Sequence, residues 1–458
     1  MKNRPTALRV VLTVLVIAAV LILLAPVARC QSAGAAPLRL TLADAVSRAL
    51  KANLSVLLSE GREQEAEGTQ LRRFSAALLP RINGEALANV QNRNLRAFGI
   101  SLPGMPTVVG PFSNYDAHIY GQQNVVDLQS YRTWKAGQQA VESARMDERD
   151  ARDLIVRAVA ALYLDAQSAE ARAESARSRV QDAATLEKLA RDRHAAGMAT
   201  GVDVLRAQVQ LANDKQSLLE AENELKQSLL ELARNLGMDP ATPIELAEPL
   251  RFAELKPDPP EALAVAALAT RADYLSFASQ RKALMLQQQA SRARFYPKFT
   301  VNGNIGELGR SIGGMTTTGA LQGQVDVTLF DRDRQGEAQE LAARVRNLDA
   351  QMDDLRRGVD EQIREALLAL DSAGQQVEVA RQGEELARRE LAMAQDRFAS
   401  GTTNNVEVVT AQDELARAEE NRILAIARHV DAKCALARAL GDTETHTLEF
   451  MGAAEPAR

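Results

Sequence analysis

Apolar positions along this chain recur with two different periods. Over most of its length the spacing is 3.5 residues. Ile155, Val159, Leu162, Ala166 and Ala169 alternate steps of four and three, and so do Leu225, Leu229, Leu232 and Leu236, with Leu211 and Leu218 upstream. In the second half, Ile363, Leu367, Leu370 and Val377 share one seam, and Ile423, Ala427, Val430, Cys434 and Ala437 another. A sustained 3.5-residue period predicts helices wound in left-handed coiled-coil fashion. Alanine at the seam lets their axes approach closely. Proline, which interrupts helix interiors, is absent between Pro111 and Pro240 and between Pro297 and Pro456. Each proline-free tract therefore predicts one long helical hairpin, 129–237 and 331–441. The outgoing helices, 129–195 and 331–399, are each on the order of 100 Å long. The returning helices span 203–237 and 405–441. Shorter helical stretches, 41–79 and 261–296, precede the strands.

The second period is two. In "KFTVNGNIGEL", Phe299, Val301, Gly303 and Ile305 alternate with Lys298, Thr300, Asn302 and Asn304. In "ALQGQVDVTLF", Leu321, Val325, Val327 and Leu329 alternate with Gln322, Gln324, Asp326 and Thr328. These predict strands 298–309 and 319–330, each with one apolar and one strongly polar face. The first half matches more weakly, with strands at 81–98 and 113–127. There Tyr115, Ala117, Ile119 and Val125 alternate with Asp116, His118, Gln122 and Asn124. Such strands suit a membrane barrel, apolar toward lipid and polar toward a water-filled lumen. Four strands cannot close a barrel, and lipid does not tolerate open sheet edges. Several chains would have to share one; three would give twelve strands.

The plan is thus stated twice. A first repeat, 36–237, and a second, 261–442, flank a proline-rich junction at 238–260, and a tail follows at 443–458. The hairpin turns repeat most clearly. "RHAAGMATGVDVLRAQ" (193–208) and "RFASGTTNNVEVVTAQ" (397–412) share Arg, Gly, Val, an acid, Val, Ala and Gln in register. Gly197 and Gly401 fall at the two tips, 196–201 and 400–404, where a residue accepting positive φ suits the turn.

The N-terminus changes where this protein is expected to be. A basic "MKNRPTALR", an apolar run and "SAGAAP" read as a secretory signal cut after Ala35. The apolar run is also about long enough to serve as an uncleaved anchor. Cys30 raises a lipoprotein reading, which Arg29 in the preceding position disfavours. Cleavage would take the net charge from −5 to −9, so no nucleic-acid surface is indicated. Two cysteines, Cys30 and Cys434, make no disulfide framework. Aromatics are only 4 % of residues, low for a compact enzyme.

This arrangement of tandem strand pairs, proline-free hairpins and matched G-x-x-x-x-[VI]-[DE]-V tips resembles the TolC-type outer-membrane efflux proteins, or outer-membrane factors. The opening "LTLADAVSRALKANLSVLL" resembles that family's first helix, and the likeness covers roughly 38–442. The resemblance implies a mostly α fold with membrane β: a homotrimeric, twelve-strand β-barrel in outer-membrane lipid, continued by a twelve-helix tunnel into the periplasm. It implies a passive exit duct for efflux or type I secretion, with a periplasmic adaptor and an inner-membrane transporter as partners and no cofactor. Adaptor-docking turns would be Ala196, Gly197 and Met198, and Ser400, Gly401 and Thr402. Glu407 takes the place of an acid that rings the pore, but Thr410 stands where a second acid belongs. Asp203 matches a member of a lock between helices, whose Tyr and Arg are here Phe398 and Thr403. The acidic ring is half present and the lock weakened, so closure by other contacts is expected. Glu407 would favour cations at a narrow axis. Its alternative is a solvated tip acid, and that of Asp203 an N-cap or first-turn acid.

Other candidates read as structural. His118, His194, His429 and His446 are scattered without metal-site spacing, and no catalytic set or phosphate loop is evident. Cys434 reads as a buried small hydrophobe. Tyr131 and Trp134 fall where strand passes into helix, as lipid-boundary anchors or as caps of the bundle. Phe330 and Asp331 mark the matching passage, with Asp331 aligned to Asp127. The competing architecture is a periplasmic coiled-coil tether on an uncleaved N-terminal helix; it gives no reason for Asn302, Asn304, Gln322 and Gln324 to share one strand face. An enzyme on a helical frame lacks a site.

Overall fold

The computed structural model describes residues 38–100 and 103–451. The signal segment 1–35, Cys30 and the end of the tail lie outside the described residues. Strand β1 (Leu38–Leu40) opens the chain, followed by α1 (Leu42–Ala52) and α2 (Leu54–Leu78). Next come β2 (Arg81–Asn94), β3 (Val108–Val126), and the first long hairpin, α3 (Leu128–Ala195) with α4 (Gly201–Asn235). The junction holds β4 (Ile244–Leu246). The second half runs α5 (Pro260–Thr270), α6 (Ala272–Ala293), β5 (Lys298–Gly309), β6 (Thr316–Asp326), α7 (Asp333–Ser400) and α8 (Asn405–Leu440), and α9 (Thr443–Met451) closes it.

The helices lie side by side as a layer. In the half nearer the strands the neighbours run α2–α3–α6–α7; in the half nearer the tips they run α4–α3–α8–α7. The 3.5-residue seams form the contacts within this layer. Val159, Ala166, Ile363, Leu370, Ile423, Val430 and Ala437 are buried. The largest apolar core sits at mid-length, where α1, α3, α4 and α8 meet. There the buried Tyr163 hydroxyl donates to the Leu40 carbonyl at 3.0 Å, and β1 pairs in parallel with β4. That short pair ties the chain's first described strand to the junction; three-residue strands carry too little periodicity to show in the sequence.

Several elements differ from the sequence expectation for local reasons. The stretch 41–79 is two helices, because Asn53 ends α1 and caps α2, its side chain accepting from Ser55 N at 2.9 Å. The stretch 261–296 breaks at Arg271, which is buried and pairs with Asp273 at 2.6 Å. Strand 81–98 stops at Asn94, after which 95–98 form a 3-10 turn closed by Gly99 at φ +73°. Strand 113–127 begins earlier, at Val108. Strand 319–330 is displaced to Thr316–Asp326: Asp326 pairs with Lys298, the first residue of β5, so Val327 and Leu329 have no ladder partner. The tail contributes a helix, α9.

The four longer strands form one antiparallel sheet in the order β2-β3-β5-β6. Its register sorts the side chains by face. One row is Arg81, Gln122, Asn302 and Gln322; the adjacent row is Ile82, Gly121, Gly303 and Leu321. Ile82, Ile119, Ile305 and Leu321 are 70, 56, 62 and 82 % exposed on the apolar face. A bulge between Asn124 and Val126 takes Val125 out of its expected row, and Val126 pairs with Phe299 instead. Both β2 and β6 present free edges.

Candidate functional site: the hairpin tips and the polar sheet face

Both tips are built by the same local device. At the first, Gly197 (φ +74°) donates to His194 O at 3.0 Å and Met198 N to Arg193 O at 2.8 Å. At the second, Gly401 (φ +81°) donates to Phe398 O at 3.1 Å and Thr402 N to Arg397 O at 3.0 Å. These paired bonds satisfy the last carbonyls of α3 and α7 and require a left-handed residue, hence glycine. The returning helices are then capped by Thr200 and Asn404. Ala196, Gly197, Met198, Ser400, Gly401 and Thr402 form the outermost turns. Met198 is 64 % exposed.

The polar side chains behind the turns are wired differently. Asp203 is buried and closes a capping box: its carboxylate accepts from Thr200 N at 3.0 Å and Thr200 Oγ1 at 2.7 Å. The Thr200 hydroxyl and amide hold its carboxyl below the usual range. The Asp203 side chain is thus committed to its own helix rather than to Phe398 or Thr403. Glu407 pairs with Arg397 Nη1 at 2.5 Å and accepts from the Thr403 hydroxyl. Thr403 therefore holds Glu407. Thr410 is exposed and lines an apolar groove of about 390 Å³ with Val202, Leu205, Val209, Val406 and Val409.

The cross-hairpin contacts come from Arg193 and Asn405. Arg193 is 8 % exposed; its Nη1 donates to the carbonyls of Phe398 and Ala399, the latter at 2.8 Å, at the negative end of the α7 dipole. Its guanidinium lies 5.0 Å from the Phe398 ring centroid, and Phe398 is buried in an apolar core with Leu186, Ala190, Leu391 and Val408. Asn405, fully buried, donates to Asp203 O at 3.0 Å. Arg193 had a signal in the sequence: it occupies the same place in its repeat as Arg397. Asn405 had none, since Gly201 stands at its counterpart.

At the other end, the polar sheet face carries a cleft of about 310 Å³ bordered by Arg81, Asn83, Tyr120, Gln122, Asn302 and Gln322. His118 lies across Gly306 in this face, its Nδ1 against Asp116 and its Nε2 3.0 Å from Thr318 Oγ1. A Cβ at residue 306 would fall 2.6 Å from His118 Cγ. A polar sheet face opposite an exposed apolar one, with matched glycine turns at the far end of long helices, suits a wall segment of a conduit.

Comparison with known proteins agrees. A family profile described as "Outer membrane efflux protein" matches residues 45–238 and 263–442. This chain belongs to the outer membrane efflux protein family. The pyoverdine export outer membrane protein OpmQ of Pseudomonas aeruginosa is 26 % identical over 244 residues, 50 % of this chain and 48 % of that protein. The match thus spans about half the length of that curated relative. The outer membrane protein VceC of Vibrio cholerae shares the fold with a TM-score of 0.74 at 19 % identity, over 87 % of this chain and 96 % of that one. The MtrE outer membrane channel of Neisseria gonorrhoeae, in its open state, gives 0.72 at 17 %, over 89 % and 90 %.

In this efflux protein the remaining candidates occupy structural places. Cys434 is buried in the mid-length core, which pushes its thiol up to about 11. His429 is buried, its ring centroid 4.6 Å from that of Phe252, and burial lowers its imidazole to about 4. His194 lies 2.9 Å from Ala199 O, and His446 is 3.8 Å from Glu449. Among the described residues no cluster of three His, Cys, Asp or Glu side chains is placed to hold a metal. Asp127 caps α3, accepting from Ser130 N at 2.9 Å. Asp331 accepts instead from Asp333 N at 3.0 Å, so α7 starts one residue later than its aligned counterpart, and Phe330 is exposed beside it. No described helix is long and apolar enough to cross a membrane.

Proposed function

We propose that three copies of this chain assemble into an exit duct of a tripartite efflux system: a shared twelve-strand barrel in the outer membrane, continued by a twelve-helix tunnel into the periplasm. The observation that carries the reading is the two-faced sheet with two free edges. Its apolar face is exposed as only a lipid contact would leave it, and its polar face matches a water-filled lumen. Free edges must be paired in a bilayer, and copies of the same chain supply matching edges.

The helical layer supports the same assembly. Its outer members, α4 and α7, carry exposed apolar stripes at coiled-coil spacing: Val202, Leu205, Val209, Leu219 and Leu230 on one, Val379, Leu386 and Met393 on the other. Stripes that keep the a/d register of a heptad on opposite edges suit packing of one copy's α4 against the next copy's α7. A periplasmic adaptor would engage the six exposed turn residues. The constriction lies just behind them, at Glu407 and Thr410, with Asp203, Phe398 and Thr403 fixing the local geometry. Because each Glu407 is balanced by Arg397, the ring would favour cations only weakly. The inner-membrane transporter supplies the energy and selects the cargo, while this chain conducts passively.

Purified protein inserted into planar bilayers should show discrete, ohmic conductance steps without nucleotide. Protein that inserts but carries no current would contradict the duct. A periplasmic tether would neither insert nor conduct.

A further inference from the structure

Immediately beneath the sheet, aromatic and basic side chains gather around Trp134. Gln123 Nε2 donates to Leu78 O at 3.1 Å, joining the end of α2 to the end of β3. One turn back along α2, Phe74 meets Trp134 of α3 with ring centroids 5.5 Å apart, and Tyr131 meets Trp134 at the same distance. Lys135 Nζ lies 4.7 Å from the Trp134 centroid and 5.9 Å from that of Tyr131. Arg73 lies along Gly137, where a Cβ would come within 3.2 Å of its Cδ. The second repeat has a counterpart: the Arg334 guanidinium sits 3.7 Å from the Phe295 centroid.

The local acids are already engaged. Asp127 pairs with Lys298 at 3.3 Å, and Arg294 takes Glu337 at 3.1 Å and Asp331 at 3.8 Å. Lower on the helices, Arg145 is held by Glu63 and Glu67, and Arg281 by Asp349. Among the described residues, Arg73, Lys135 and Arg334 have no carboxylate within 4.0 Å. At the level where the sheet ends, Lys135 and Arg334 are mounted on rings suited to a lipid–water boundary, and Arg73 lies beside the same aromatic cluster.

We propose that this belt, with Arg73, Lys135 and Trp134 at its centre, binds the phosphate headgroups of anionic phospholipids in the leaflet facing the periplasm. The proposal rests on the sheet spanning the outer membrane. An aromatic collar alone would accept any headgroup; two unpaired cations beside it select negative ones. Each basic side chain near an anionic surface corresponds to roughly fivefold enrichment of the charged lipid.

Trp134 is the chain's single tryptophan, so its fluorescence reports this site alone. Full-length protein would be reconstituted in phosphatidylcholine vesicles. Either brominated phosphatidylglycerol or brominated phosphatidylcholine would be added at equal mole fraction, with the bromines at the same acyl position. Quenching should be at least about threefold stronger with the anionic lipid. Arg73→Gln with Lys135→Gln should equalise the two, and Arg73→Lys with Lys135→Arg should keep the preference. Equal quenching in the native protein overturns headgroup selection but leaves the membrane-spanning sheet intact. Floated protein that neither lipid quenches places Trp134 against protein instead and overturns the site. Protein that does not float with the vesicles overturns the spanning sheet itself.

Discussion

The two hairpin tips share a turn and differ in everything behind it. Arg193 and Arg397 are aligned, as are Thr200 with Asn404 and Asp203 with Glu407. At the first tip Asp203 reaches back to Thr200 and closes a capping box, which leaves Arg193 without an acid on its own hairpin. Arg193 turns across to the carbonyl end of α7 and is buried there. At the second tip Asn404 caps α8 by itself, accepting from Val406 N at 3.1 Å, and the longer Glu407 is free to pair with Arg397. One methylene in the acid and one exchange of cap residue thus decide whether the arginine serves its own hairpin or the neighbouring one. A repeated motif fixes backbone geometry; the side chains around it set which surfaces are tied together.

The comparison can be broken most severely at Arg193. Arg193→Leu leaves the Phe398 and Ala399 carbonyls without their charged donor and should cost about 2–4 kcal/mol of local stability. Hydrogen exchange should then rise at Phe398 and Val408 but not at the mid-length core. Arg397→Leu should have far less effect, since the Arg397–Glu407 pair is partly exposed and such pairs contribute less than about 1 kcal/mol. Equal responses to the two substitutions would mean that the tips are wired alike after all.

The next effect is at the shared glycines. Gly401→Val places a branched side chain at φ +81°, with its Cβ 3.1 Å from Arg193 Nη2, so strain and loss of the clasp combine. A loss of about 2 kcal/mol or more is expected. Gly197→Val meets nothing within 4 Å and should lose only the backbone contribution. Thermal melting of the two variants would rank them.

A smaller effect separates the acids. The Asp203 carboxyl is held below its ordinary value, so it stabilises the fold at pH above about 4 and that contribution fades as pH falls through its lowered value. Asp203→Asn should therefore flatten the acid limb of a stability–pH profile, and Thr200→Ala should do the same while costing about 1 kcal/mol at neutral pH. An unchanged acid limb would detach Asp203 from the capping box energetically. The smallest effect is on conduction. Glu407→Gln should lower cation preference by about twofold or less, because Arg397 already balances the charge. A large loss of selectivity would show that Glu407 faces the axis unpaired.

Long-range order was legible in the sequence wherever it is periodic. The seams, the sheet's alternation and the glycine turns were visible as spacings of 3.5, 2 and 204 residues. What escaped was decided by single contacts between distant segments. Nothing at Leu38–Leu40 announces a parallel partner at Ile244–Leu246. Val327 and Leu329 continue the alternation of β6, and only the end of β5 at Lys298 shows that no ladder remains for them. At the tips, family likeness implies Asp203, Phe398 and Thr403 as the positions of a lock between helices. The structure uses Asp203 as a cap, places Phe398 in the apolar core under Arg193 and gives Thr403 to Glu407. Arg193 was in view as the first letter of the repeated stretch, but its direction depends on what Asp203 is already holding.

The shared barrel is tested most directly by the mass and location of the native particle. Outer membranes would be separated from cells expressing the full chain, solubilised in detergent, and the protein mass determined by light scattering. The account predicts three copies, recovered from the outer-membrane fraction. One or two copies, or recovery in the soluble or inner-membrane fraction, would contradict it.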